Sequence, residues 1–160
     1  MGIERKEYDV KILVTGMTLV VFLLLTACTG RIAAESSGET ITSNGDVVAD
    51  QVSLIAALRA AGAKVESGDS VEQPFFTVGG QILMVNETEV QVFEYEAVEA
   101  MEVDASLVAS DGASVGTTMI SWIAPPHFYK TGRIIVLYLG EDAAILDLLN
   151  QVLGVQFAGG

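Results

Sequence analysis

The stretch Arg133-Ile134-Ile135-Val136-Leu137-Tyr138-Leu139 (RIIVLYL) decides the reading of this chain. It is short, lacks any turn former and is dominated by large apolar residues. Such a run reads as a buried strand. Alternation places Ile135 and Leu137 together on a buried face. The preceding Pro125–Gly132 ends in a glycine and reads as a wide hairpin connection from a strand at Thr117–Ala124. After the run, Asp142 can open a helix to Leu153, with Ile145, Leu148, Leu149 and Val152 inward and Gly154 as the stop.

The same signals extend upstream. Glu96–Ala109 has helical spacing, with Val98, Met101, Ala105 and Val108 on one face and Glu96, Glu99 and Glu102 toward water. Gln81–Val85 and Glu89–Tyr95 flank a short Asn86-Glu87-Thr88 turn and predict a hairpin. Ala63–Glu66 is a short strand candidate, Ser67–Pro74 a loop, Phe75–Val78 a further strand candidate and Ser110–Gly116 a loop. Asp50 or Ser53 can cap a helix to about Ala61, with Val52, Ile55, Ala56 and Arg59 on one side and Gly62 terminating it. The expected class is α+β. An antiparallel sheet of four to five strands and three helices follow the order α-β-β-β-α-β-β-α, the helices covering a face of the sheet.

These elements occupy residues 46–160, and the preceding chain differs in kind. Ile12–Leu25 (ILVTGMTLVVFLLL) is uncharged, and as a helix it would span about 21 Å, short of a bilayer core of about 30 Å. It fits the apolar region of a signal peptide over residues 1–27. Residues 28–45 read as a lipid-bearing cysteine and a flexible tether, since Thr29–Asn44 is rich in Thr, Ser, Gly, Ala and Glu without a period.

The tetrapeptide Leu25-Thr26-Ala27-Cys28 resembles the lipobox of bacterial lipoprotein precursors, and Cys28 is the sole cysteine. The resemblance covers residues 1–28. It implies cleavage between Ala27 and Cys28, a diacylglyceryl group on the Cys28 thiol and acylation of the new amino terminus. The implied address is the cell envelope. The chain would be lipid-anchored at the outer face of the cytoplasmic membrane, or in the outer membrane if the cell has one. The n-region departs from the family pattern, because Glu4, Glu7 and Asp9 cancel Arg5, Lys6 and Lys11. Further on, LIAALRAAG (Leu54–Gly62), QPFF (Gln73–Phe76), VFEY (Val92–Tyr95), PPHFY (Pro125–Tyr129) and Arg133–Gly140 resemble small envelope lipoprotein domains of unknown function. That resemblance carries no activity.

Composition narrows the function classes. The net charge of −13 lies wholly beyond residue 27, so nucleic acid is not an expected partner. One cysteine and one histidine cannot build a structural zinc site, and no cofactor is expected. Glu94, Glu96, Glu99 and Glu102 form a dense carboxylate run, which reads as a solvated face rather than a cation site. Gly79-Gly80 lacks the Lys-Ser/Thr of a phosphate loop. Asn86-Glu87-Thr88 matches a glycosylation sequon and also reads as a turn.

The most distinctive segment is Trp122–Arg133, holding the only Trp, the only His and two of the three prolines. One reading makes it a rigid aromatic recognition loop using Trp122, His127, Phe128 and Tyr129. The other makes it a Pro-stiffened turn whose aromatics complete the core edge. Ser121 lies in no nucleophile elbow, so a hydrolase built on His127 ranks last. The leading expectation is a non-enzymatic lipoprotein whose domain binds a protein or small ligand at the envelope. The alternative is a structural or accessory subunit of an envelope complex.

Overall fold

The computed structural model describes residues 47–160. The signal segment, Ala27, Cys28 and the tether through residue 45 lie outside the described residues. Helix α1 (Gln51–Ala60) leads into strands β1 (Val65–Val71), β2 (Gly80–Val85) and β3 (Thr88–Glu94). Helix α2 (Val98–Leu107) and a two-stranded ribbon, β4 (Ser114–Val115) with β5 (Thr118–Met119), follow. Strands β6 (Pro126–Thr131) and β7 (Ile134–Leu139), helix α3 (Ala143–Leu153) and the short β8 (Ala158–Gly159) complete the order. The main sheet has six strands in the order β1-β2-β3-β7-β6-β8, every pair antiparallel.

The helix signals act through identifiable bonds. Asp50 caps α1: its carboxylate accepts the Ser53 N–H at 2.9 Å, and the Ser53 hydroxyl accepts the Asp50 N–H at 3.0 Å. These bonds and nearby Arg133 hold the Asp50 carboxyl below the usual range. Asp142 caps α3, and Ile145 and Leu149 point into the core with Leu148 and Val152 half-buried. The inward side of α1 is Leu54 and Leu58; Val52, Ala56 and Arg59 face solvent, contrary to the expected stripe. Met101 and Ala105 are buried on α2 as expected, Val108 is buried just past its end, Val98 is exposed, and Asp104 joins the buried side.

The hairpins set the register. Asn86 and Glu87 both adopt positive φ, 49° and 69°, which makes a two-residue primed turn, and Thr88 belongs to β3. The β6–β7 turn consists only of Gly132 and Arg133, between the paired Thr131 and Ile134. Gly132 has φ 52°, and a Cβ there would run into the Ala49 backbone.

Several expectations are corrected. Residues 126–131 of the expected connection form β6, because Pro126 occupies the first strand position, where a missing N–H costs least. The expected strand at Thr117–Ala124 shrinks to Thr118–Met119. The Ala63–Glu66 strand becomes Val65–Val71, with a register irregularity between Ser67 and Ser70, and Phe75–Val78 is a turn segment.

The helices cover both faces of the sheet. On one face α1 and α3 pack Leu54, Leu58, Ile145 and Leu149 onto Leu83, Val85, Val90, Val92, Ile134, Val136 and Tyr138. On the other, α2 and irregular chain pack Met101, Ala105, Phe76 and Val115 onto Phe93, Phe128, Ile135 and Leu137. Ile135 and Leu137 do share a buried face, and Ile134 and Val136 on the opposite face are equally buried.

Candidate functional site

The structure divides the Trp122–Arg133 segment into two parts. His127, Phe128 and Tyr129 lie in β6 and are all buried. Alternation sends His127 and Tyr129 to the α3 side and Phe128 to the α2 side. The Phe128 ring contacts Phe76, Trp122 and Phe157. Tyr129 lies among the aliphatic side chains with no hydrogen-bond partner for its hydroxyl, and burial pushes that phenol up. A recognition loop needs exposed rings, so these three residues are architecture. Pairing of Pro126–Thr131 with β7 carries them into the sheet and away from an exposed loop.

Trp122 remains at the surface. Its ring is half-buried and meets Phe75 edge-on at 5.8 Å and Phe128 at 5.9 Å. The indole N–H donates to the Gly112 carbonyl at 2.7 Å, which pins the ring. The next residue, Ile123, is 94% exposed.

Phe75 is held from beneath. The turn that carries it donates the Thr77 N–H and hydroxyl to Asp104 Oδ2, at 2.7 and 2.8 Å. The Tyr95 hydroxyl donates to the same oxygen at 2.9 Å. Burial, then the contact with Asp104, drives the Tyr95 phenol far above its ordinary range. Asp104 thus locks α2, the Phe75 turn and the end of β3 together. Reading α2 by its apolar spacing missed it, although Asp104 lies three residues after Met101, at the edge of the inward arc.

No family model, curated protein or solved structure matches this chain. The site therefore has to be read from its own geometry. Phe75, Trp122 and Ile123 present apolar surface on two irregular segments, each fastened by hydrogen bonds to buried structure. Such a rigid, partly desolvated aromatic edge suits contact with another apolar surface.

The carboxylates are mostly engaged elsewhere. Glu102 forms an ion pair with Lys130 at 2.5 Å, while Glu96 and Glu99 stand in solvent. Glu94 bonds Arg133 at 2.6 Å and accepts the Gln51 N–H at 3.1 Å, tying β3 to the start of α1. Among the described residues no group of three His, Cys, Asp or Glu side chains is arranged to hold a metal ion. Among those residues, too, no helix is long and apolar enough to cross a membrane.

Proposed function

We propose that this chain is a lipid-anchored envelope lipoprotein whose domain is a non-enzymatic binding module. The Leu25–Cys28 lipobox supports the anchor. The observation that carries the binding role is the Trp122–Ile123 step. An isolated exposed isoleucine is unexceptional. Here it follows a tryptophan immobilised by Gly112 and Phe75, so the apolar surface is presented in a fixed direction. Pre-ordered aromatic anchors lose little conformational freedom on binding, which favours affinity. The partner is a protein with a complementary apolar patch.

A photo-reactive phenylalanine placed at position 123 of the full chain in native membranes tests the binding role, with exposed position 155 as reference. A discrete protein adduct from 123 alone is expected. No adduct, or equal labelling from both positions, overturns binding at this edge. The anchor is tested separately: Cys28→Ser should abolish fatty-acid labelling and leave an uncleaved precursor. A labelled, processed variant would refute the lipobox reading.

A further inference from the structure

The chain has one histidine, and each of its ring nitrogens faces an oxygen. His127 is 7% exposed. Nδ1 lies 2.7 Å from Gln156 Oε1, and Nε2 lies 3.0 Å from the Gly140 carbonyl oxygen. Both neighbours are acceptors. The orientation of the Gln156 amide follows from its other end, where the nitrogen donates to the Gly159 carbonyl at 2.9 Å. Neutral imidazole has one N–H and one lone pair, so either tautomer turns a lone pair toward an oxygen. The imidazolium donates to both.

We propose that His127 is a proton-operated clamp on β8, holding this strand while both ring nitrogens carry protons and loosening it when one proton leaves. The departing proton is the one on Nδ1. Loss from Nε2 would leave a lone pair facing a main-chain carbonyl that cannot turn over. Loss from Nδ1 to water leaves a lone pair that Gln156 can meet by rotating its amide. That rotation points Oε1 at the Gly159 carbonyl, and the bond to β8 is lost.

The strand is built to respond. It has two residues and pairs only with β6, through His127 and Phe128; Ala158 is buried on the α2 face, whereas Gly159 and Gly160 are held by main-chain bonds and the Gln156 amide. Glycines held by so few hydrogen bonds open at low free-energy cost.

The charges around the ring are few. Tyr138 of β7 stacks on it at 5.9 Å and 23°, and the Tyr138 hydroxyl accepts the Asp142 N–H. Beyond Gly140, Glu141 and Asp142 are exposed, and the Asp142 carboxylate accepts the Ala144 N–H. On α3, Asp147 is exposed, and residues 154–160 carry no ionisable side chain. Among the described residues the ring has no ion-pair partner.

Nuclear magnetic resonance on the full chain in detergent micelles tests the clamp. With ¹⁵N-labelled histidine the ring signals need no assignment, since there is one histidine. The comparison runs between pH 5 and pH 8, the interval in which imidazole ordinarily changes charge. At pH 5 both ring nitrogens should carry protons, and at pH 8 only Nε2 should. Amide exchange at Gly159 and Gly160, corrected for its intrinsic pH dependence, should be about tenfold faster at pH 8. His127→Phe keeps the ring stacked on Tyr138 and should give fast exchange at both pH values. A single ring proton at pH 5, or corrected exchange that does not change in the wild type, overturns the proposal. These wild-type readouts decide the matter even if His127→Phe does not fold.

Discussion

The two faces of the sheet are closed by different means. The α1/α3 face is mostly aliphatic, with Tyr129 and Tyr138 among its residues, and lies beneath two helices. The α2 face is aromatic and lies beneath one helix, with Phe75, Ile120, Trp122 and Phe157 filling in from irregular chain. Geometry explains the contrast. Six strands at about 4.8 Å spacing make a sheet about 24 Å wide, and a helix covers about 10 Å of it. Two helices nearly close one face. One helix leaves more than half of the other to turns, where large planar rings cover most area per residue. The cost is incomplete closure, and the half-buried Phe75 and Trp122 mark where it occurs. Surface available to a partner is a consequence of the uneven distribution of helices.

The largest effect tests whether the aromatic face is core at all. Leu137→Ala there and Leu149→Ala under the helices should each cost about 3–4 kcal/mol in urea unfolding. A loss below about 1 kcal/mol for Leu137 alone would make the aromatic face a peripheral layer.

Removing the Asp104 lock should cost about 2–3 kcal/mol, because Asp104→Ala leaves the buried Tyr95 hydroxyl and the two Thr77 donors without their carboxylate. The near-ultraviolet signal of Phe75 and Trp122 should change with it. An unchanged signal would mean that the aromatic edge does not depend on α2.

Tyrosines on opposite faces should respond oppositely. Tyr95→Phe loses a bond to Asp104 and should cost about 1 kcal/mol. Tyr129→Phe removes a buried hydroxyl without a partner and should be neutral or stabilise by up to about 1 kcal/mol. Both phenols are raised in the fold, so their stabilisation is complete below the unfolded value of about 10 and declines as pH rises above it. Each Phe variant should flatten that alkaline decline in melting temperature. Equal costs at neutral pH would remove the chemical distinction between the faces.

The smallest expected effect is Ile123→Asp. With its side chain in solvent, it should shift stability by less than about 0.5 kcal/mol while abolishing co-purification of the partner from membranes. A large destabilisation would place Ile123 in the core and close the edge.

Much of this was legible along the chain. The α1 cap at Asp50 or Ser53 with its stop at Gly62, the α3 stripe from Ile145 to Val152, the hairpin at Asn86-Glu87-Thr88 and the RIIVLYL strand are all local signals, and each element formed. Trp122 stands out in the sequence as the only tryptophan, whereas its neighbour Phe75 comes from a segment that reads as a strand. His127, Phe128 and Tyr129 were misplaced because a double proline and a glycine look like the ends of a loop.

What the sequence by itself determined was the three helices, the Asn86-Glu87 hairpin and the RIIVLYL strand with its alternation, since these depend on neighbours within a few residues. Only the tertiary structure decided that β6 is interior, that helices lie on both faces and that Asp104 is a buried junction. Alternation states that two sides exist; which side is covered depends on segments dozens of residues away. For Phe128 the covering residues are Phe76 and Phe157, and for Tyr129 they are the aliphatic side chains packed beneath α1 and α3.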